Sequence, residues 1–317
     1  MPYEPDVDQQ ELDSSHESSM PLKADDAALR AQKLQLAAKR QRLYLRKKTT
    51  TKLREMLKRN ALVLYFEPTL STQTMKMAGA TAALKIQRQG FGPVPAQHIL
   101  SLVEESTILV DIGCWMIGQI LHKTKKFPRH FVFTVPVSAY LLRSPKFVSY
   151  VIAGLNSLKF GSGRLQFALT EEALRATVND LDTTLQCLAE AGVSFSATHS
   201  GPVDDVLHLL EEGFFSTLVL DKHLVAMAQE DKEQQRTLKA LAKKIHALNG
   251  KLKVGGIDAI AKIKLCSIMG IDELQGAAIA APVPLTALQN HSRLACQLEE
   301  AGLGDDETDE DLRAFAG

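Results

Sequence analysis

The sequence predicts an α/β fold built on a parallel sheet, and two observations support this prediction. Short apolar runs of strand length recur between residues 62 and 257, separated by longer segments with helical periodicity. This alternation continues for about 240 residues without an obvious internal boundary, a length that suits a (β/α)8 barrel. The pattern of apolar residues alone fits a doubly wound sheet equally well.

The individual elements follow from residue type and period. Runs of aliphatic and aromatic residues predict strands, because such side chains pack well on a pleated, buried surface. The predicted strands are residues 62–66, 131–138, 164–169, 193–198, 217–221 and 252–257. Apolar residues at helical spacing predict the helices between and after them, at residues 97–123, 145–157, 171–191, 203–212, 230–249 and 258–269.

Four regions are expected along the chain. Residues 1–24 are polar and acidic, so they lack the apolar surface that would offset the entropy of ordering and are predicted to be disordered. A basic amphipathic helix is predicted at 25–49, with a short break or N-cap at Thr49–Thr51 before a second helix at 52–58. The barrel is assigned to residues 50–290. Residues 291–317 are expected to hold the end of a C-terminal helix and an acidic tail.

The formal net charge is zero, but the charges are segregated along the chain. Residues 1–22 carry six acids and no Lys or Arg, whereas residues 30–59 carry twelve Lys or Arg and one acid. Residues 299–317 carry eight acids and one Arg. The basic segment therefore has three interpretations: docking on the barrel or a partner, contact with the chain's own acidic ends, or binding of nucleic acid or an anionic membrane.

Composition limits the cellular setting. No run approaches 18 uncharged apolar residues, which argues against a transmembrane helix, and the acidic N-terminus is unlike a secretory signal. The four cysteines lie far apart and form no Cys-x-x-Cys pair, which argues against a disulfide framework or a zinc ribbon. A reducing cytoplasm is the expected location.

The ends of the predicted strands contain few acids. A divalent metal site in an α/β barrel needs several carboxylates at the carboxyl ends of the strands. Here those ends hold Ala168, then Thr198 and His199, then Gly255, and Asp221 is the one clear acid. One carboxylate cannot hold a pair of metals, so no metal and no cofactor is predicted.

Nine short segments in order resemble the EAL domain, the barrel of cyclic di-GMP phosphodiesterases. Residues 64–68 (LYFEP) resemble its opening Tyr-Gln-Pro strand, and residues 79–85 (GATAALK) resemble the Gly-Ala-Glu-Ala-Leu-Leu-Arg segment that names the family. The others are 104–115, 135–138 (VPVS), 167–171 (FALTE), 192–201, 218–221 (LVLD), 254–258 (VGGID), and 275–276 followed by 282–284. The resemblance implies a (β/α)8 TIM-like barrel of the EAL type, preceded by the basic N-terminal helix.

The departures from the family pattern fall on its catalytic positions. In active members, the resemblance implies, the metals are held by the motif Glu, an Asn, a strand Glu and an Asp pair, while a Lys and another Glu organise the attacking water. This chain has at those positions Thr81, Pro136, Ala168, Thr198, His199, Val219 and Gly255. These residues cannot supply the ligands that a metal-activated hydroxide requires, so the chain is expected not to be an enzyme.

Four other positions keep or nearly keep the family's residue type. Lys85 stands where the family has a phosphate-facing Arg, Asp258 stands where it has Glu, and Asp221 and Gln275 are retained. They are read as remnants of a ligand site or as framework residues of the barrel ends.

The expected function is that of a catalytically inactive regulatory protein, a pseudoenzyme in cyclic di-GMP-related signalling that acts by binding an unidentified protein partner. The first alternative is a receptor that binds cyclic di-GMP without hydrolysing it. The second is contact with nucleic acid or an anionic membrane through residues 30–59. Homodimerisation is left open.

Overall fold

The computed structural model describes residues 24–88, 90–103, 105–169, 173–174, 181–199, 210, 213 and 215–289. The chain divides into two compact units, Met1–Lys48 and Thr49–Gly317. The predicted acidic segments 1–24 and 291–317, and the helix predicted at 203–212, fall outside the described residues apart from residues 24 and 210.

Eight strands close into a barrel. In spatial order they run β1-β9-β8-β7-β6-β5-β4-β2, and pairing of β1 with β2 closes the ring. β1 is antiparallel to both of its barrel neighbours, and the other ladders of the ring are parallel. The predicted (β/α)8 barrel is therefore confirmed. The strands, including the added β3 and β10, are β1 Leu62–Ser71, β2 Met77–Arg88, β3 Gly92–Pro95, β4 Val132–Val137, β5 Leu165–Leu169, β6 Val193–His199, β7 Phe215–Leu220, β8 Lys251–Val254, β9 Glu273–Leu274 and β10 Val283–Pro284.

Helices follow most of the parallel strands and cover the outside of the barrel with apolar residues. The helices of the described residues are α1 Ala24–Lys58, α2 Gln97–Leu100, α3 Thr107–Lys123, α4 Ala139–Leu142, α5 Pro145–Leu158, α6 Asp182–Glu190, α7 Lys222–Glu230, α8 Lys232–Ala247, α9 Ile260–Ile268 and α10 Leu285–Gln289. Among the described residues, no helix is both long and apolar enough to cross a membrane.

The predicted break at Thr49–Thr51 is wrong, because α1 runs without interruption from Ala24 to Lys58. Each threonine costs only a few tenths of a kcal/mol relative to the best helix formers, and the flanking Lys, Arg and Leu residues tolerate that cost. The last turns are also held by Leu53, which is fully buried. Tertiary burial at the end of the helix thus outweighs the weak local preference.

The apolar pattern missed several further elements, of which β2 and α7 are the longest. β2 reads as a mixture of Ala, Gly and Thr, which have little strand signal, and it forms because it pairs with β1 over nine residue pairs. α7 begins where Asp221 accepts a hydrogen bond from the backbone N–H of His223 at 2.8 Å, and it ends where Asp231 caps the next helix.

The inner and outer faces of the barrel strands differ in polarity. Outward-facing aromatic residues pack beneath the helices, as where the Phe167 ring lies 5.9 Å from the Phe147 ring of α5. Inward-facing residues are polar: Gln166 accepts from the Thr134 hydroxyl at 3.0 Å and donates to Thr217 Oγ1 at 3.1 Å. This alternation brings polar groups into the centre of the barrel.

Candidate functional site

The carboxyl ends of the parallel strands are where a barrel of this kind places its chemistry. The structure puts Pro136 near the end of β4 and pairs it with Ala168 on β5. It pairs Thr198 on β6 with Val219 on β7. The predicted site positions on neighbouring strands are therefore brought side by side at one end of the barrel.

These positions offer almost nothing to a cation. Pro136 and Thr198 are exposed, whereas Ala168 and Val219 are half-buried. Gly255 follows β8, and a side chain placed there would meet no atom within 4 Å. His199 is the last residue of β6. Space for ligands is present at the mouth, but Pro, Ala, Val and Gly supply no side-chain donor atom.

The metal that the fold family implies does not fit this donor set. Across the described ranges, no three His, Cys, Asp or Glu side chains come together in a way that could hold a metal ion. Magnesium and manganese prefer carboxylate oxygens, which would have to come from several strands at once.

A buried lysine occupies the interior just below the mouth. Lys253 on β8 is 4% exposed, and its Nζ lies 3.3 Å from Thr69 Oγ1 and 3.4 Å from Thr81 Oγ1. Gln275 Nε2 donates to the same two hydroxyl oxygens, at 2.8 Å each, and to the backbone carbonyl of Glu67 at 3.0 Å. These five residues form what we call the central cluster.

The central cluster is electrostatically coupled. Burial lowers the pKa of Lys253 to about 8, although attraction to Glu273 and Glu67 opposes that shift. Burial also raises the pKa of the Glu67 carboxyl, while the Lys253 charge pulls it back down. Sequence analysis overlooked this lysine. Its only sequence signal is a cation between Leu252 and Val254, two residues that are fully buried in the structure.

Two of the candidate remnant residues have partners within the chain. The Lys85 Nζ lies over the Tyr65 ring, 4.1 Å from its centroid, in a cation–π contact. Asp221 is the N-cap of α7 and accepts from the His223 N–H. Both contacts are of the kind that framework residues make.

The other two remnants are also engaged. Asp258 accepts a hydrogen bond from Lys262 Nζ at 2.6 Å, one helical turn away, and this contact lowers the pKa of the Asp258 carboxyl. Gln275 belongs to the central cluster. The structure therefore does not bring the four remnants together as one set of free polar groups.

A groove of about 610 Å³ is lined by residues of the first half of β1, of α3 and of the start of α10. It is lined by apolar and neutral side chains, including Leu64, Tyr65 and Trp115, with Lys123 at its edge. Its lining holds no carboxylate, so it offers a surface for packing and not for metal chemistry.

Comparison with known proteins identifies the family to which this fold belongs. The sequence model of the EAL domain matches residues 50–282. The signaling protein YkoW of Bacillus subtilis is 24% identical over 235 residues, which cover 73% of this chain and 29% of YkoW. The cyclic di-GMP phosphodiesterase PdeR of Escherichia coli is 23% identical over 242 residues, covering 75% of this chain and 36% of PdeR. The chain thus spans about a third of the length of these relatives.

Solved structures agree with the fold. The EAL domain of Xanthomonas citri FimX, determined in complex with c-diGMP, superposes with a TM-score of 0.68 at 16% sequence identity. The match covers 78% of this chain and 97% of that domain. At this identity the likeness shows the barrel architecture alone.

Proposed function

The chain belongs to the EAL-domain family, and we propose that it is a non-hydrolysing member that acts in cyclic di-GMP-related signalling by binding another protein. The observation that carries this proposal is the replacement of acids at the mouth of the barrel. Opening a phosphodiester needs a metal-activated hydroxide and cationic stabilisation of the phosphate oxygens in the transition state. At the positions that hold these groups in active family members, the chain has Thr81, Pro136, Ala168, Thr198 and Gly255 instead.

The core of the barrel supports the same proposal. Loss of one ligand can leave a metal site weakened but working, whereas loss of every protein ligand leaves nothing to bind the ion. The strands nevertheless keep closely packed apolar outer faces, with Phe133, Phe167 and Phe195 all fully buried. A barrel that stays well packed without its ligands is consistent with a role carried by its surface.

The N-terminal helix offers a surface for such a role. Between residues 30 and 48 it exposes several large apolar side chains, of which Leu34 is 71% and Tyr44 is 64% exposed. Exposed apolar groups of this size beside many basic residues favour contact with a protein that presents an apolar, acidic face. We therefore assign partner binding to residues 30–48.

Hydrolysis is tested directly with the purified full chain. We expect no linear dinucleotide from cyclic di-GMP in the presence of Mg²⁺ or Mn²⁺, with PdeR assayed in parallel as the active control. Cleavage by this chain that disappears on adding a chelator would overturn the non-hydrolysing assignment.

Partner binding is tested by comparing the wild-type chain with a Leu34→Ser/Tyr44→Ser chain in affinity capture, followed by titration with the purified captured protein. We expect the double substitution to weaken the purified complex at least tenfold. A Tyr150→Ser chain, altered at an exposed aromatic residue of α5, is the matched control. Equal affinity of all three chains would refute the assignment to residues 30–48.

A cyclic di-GMP receptor is the second candidate, supported by the retained Asp221 and Gln275 and by Lys85, which keeps the positive charge of the family's Arg. The intramolecular contacts of these side chains count against it, because a ligand would have to compete with them. Calorimetric titration of cyclic di-GMP in the presence of Ca²⁺ distinguishes the two: micromolar binding favours the receptor, and no heat at high ligand concentration favours the protein-binding role.

A further inference from the structure

Lys253 lies in an unusual place for a charged side chain. It is the third residue of β8, and the residues on either side of it, Leu252 and Val254, are fully buried. Its hydrogen-bond partners lie on β1 and β2, beyond the neighbouring strand β9, so the side chain crosses the inside of the barrel. A Lys is almost never buried to this degree without partners that compensate its charge.

The hydroxyl oxygens around the ammonium already accept hydrogen bonds from side chains of the protein. A threonine hydroxyl oxygen can accept two hydrogen bonds. Thr81 Oγ1 is within reach of Lys253 Nζ at 3.4 Å and of Gln275 Nε2 at 2.8 Å, and Thr69 Oγ1 is approached by the same two donors. Both oxygens therefore face hydrogen-bond donors, and neither has a free lone pair to offer to a metal ion.

The negative charges of the nearby carboxylates offset the positive charges of the lysines. Glu67 and Glu273 both attract Lys253. Glu273 is also paired with Lys251, at 2.9 Å between Nζ and Oε1. Two lysines and two glutamates thus give this part of the barrel no excess negative charge that would draw in a divalent cation.

We propose that the Lys253 ammonium is a built-in cation at the centre of the barrel, which excludes divalent metal ions from it even when carboxylate ligands are present. This inference rests on the proposed function, since it deepens the account of why the mouth does not hydrolyse phosphodiesters. The chain lacks the family's metal ligands, and in addition it places the positive charge of Lys253 next to Thr81. Restoring the ligands alone would then not restore the metal.

The test begins from a ligand-restored chain, which carries the five substitutions Thr81→Glu, Pro136→Asn, Ala168→Glu, Thr198→Asp and His199→Asp. Binding of Mn²⁺ is followed by the loss of the electron paramagnetic resonance signal of the free ion. We expect the ligand-restored chain to bind Mn²⁺ at least tenfold more weakly than the same chain with Lys253→Met added. Methionine keeps the unbranched shape of the side chain and removes the charge.

Lys251→Met in the ligand-restored chain is the matched control. It removes a lysine from the same strand, but one that is half exposed at its side chain and paired with Glu273. We expect this control to bind Mn²⁺ no more tightly than the ligand-restored chain. Equal affinity with and without Lys253, or absence of binding in both folded chains, would overturn the proposal.

Folding is checked by circular dichroism before each titration. If the ligand-restored chain does not fold, Thr81→Glu/Ala168→Glu with and without Lys253→Met makes the same comparison with two carboxylates. The assay contains no nucleotide. Hydrolysis by the wild-type chain would therefore refute the proposed function without deciding the metal comparison, and equal Mn²⁺ affinities would refute this inference without implying hydrolysis.

Discussion

Replacing Lys253 with methionine should remove a pH dependence of stability that this one side chain creates. The side chain is 4% exposed and its pKa is lowered to about 8 in the folded chain. In the unfolded chain a lysine titrates near 10.4. Between these two values the unfolded state binds more protons than the folded state, so the wild-type free energy of unfolding rises as the pH rises through this window.

The size of the effect follows from the two pKa values. Below about pH 8 the amine is protonated in both states, and the folded chain bears the full cost of burying the charge. Integrating the difference in bound protons between the unfolded and folded states from pH 7 to pH 10 gives an increase of about 2 to 3 kcal/mol in the free energy of unfolding of the wild-type chain. Methionine does not titrate, so the Lys253→Met chain should lack this gain.

Urea unfolding at pH 7, 8, 9 and 10 measures the effect. Other lysines, tyrosines and cysteines also titrate in this range, and the quantity of interest is therefore the difference between the two chains at each pH. That difference should grow in favour of the wild type by about 2 to 3 kcal/mol between pH 7 and pH 10. The Lys251→Met chain is the control and should keep the wild-type trend.

A constant difference between the wild-type and Lys253→Met chains across this pH range would refute the reasoning. It would mean that Lys253 titrates alike in the folded and unfolded states, which a side chain enclosed by the central cluster should not do. A difference that grows in the opposite direction would mean that the folded state stabilises the charged form.

Three further outcomes are expected for stability. Gln275→Ala removes three donated hydrogen bonds inside the barrel and should lower the free energy of unfolding by about 2 kcal/mol, whereas Gln186→Ala, on the exposed face of α6, should change it by less than about 0.5 kcal/mol. Leu53→Ala should cost about 2 to 5 kcal/mol in chemical denaturation because the side chain is fully buried, while Leu34→Ala should be close to neutral; equal effects would contradict the burial argument. Asp221→Ala should cost about 1 kcal/mol through loss of the α7 cap and Asp221→Asn should cost less, since Asn also caps helices; an equal loss with Asn and with Ala would show that the charge and not the cap is what matters.

Much of the barrel could be predicted from the sequence because its strong elements are locally encoded. The strands predicted at 164–169 and 193–198 agree with β5 and β6 to within one residue at each end. The helix predicted at 145–157 agrees with α5, where Ser144 caps the start and Pro145 occupies the first turn. A continuous apolar run favours a buried strand, and a clear N-cap fixes the start of a helix, so few other local structures compete at these positions.

The elements that were missed depend on partners far away in the chain. β2 is stabilised by pairing with β1, and its Gly, Ala and Thr residues have no strong preference of their own. Burial of Leu53 likewise supports the continuity of α1 through Thr49–Thr51, in addition to the helix propensity of the flanking residues. Local pattern cannot report energies that arise only once distant segments meet.

For the candidate site too, some features could be predicted from the sequence and others depended on the tertiary structure. The sequence, through its resemblance to the EAL domain, predicted that the family's acids are replaced by Thr81, Ala168, Thr198, His199 and Gly255. It equally determined the segregation of charge along the chain. Whether those positions converge was an inference from the resemblance, and the strand register now places them on neighbouring strands at one end of the barrel.

Only the tertiary structure decided what fills the centre of the barrel. Thr69 and Gln275 are separated by 206 residues, and Lys253 and Thr81 by 172 residues, yet all four side chains meet there. A residue in a strand faces either the barrel interior or the helices, and one step of register exchanges the two faces. The direction of Lys253 was therefore set by closure of the barrel, which fixes the register of every strand at once.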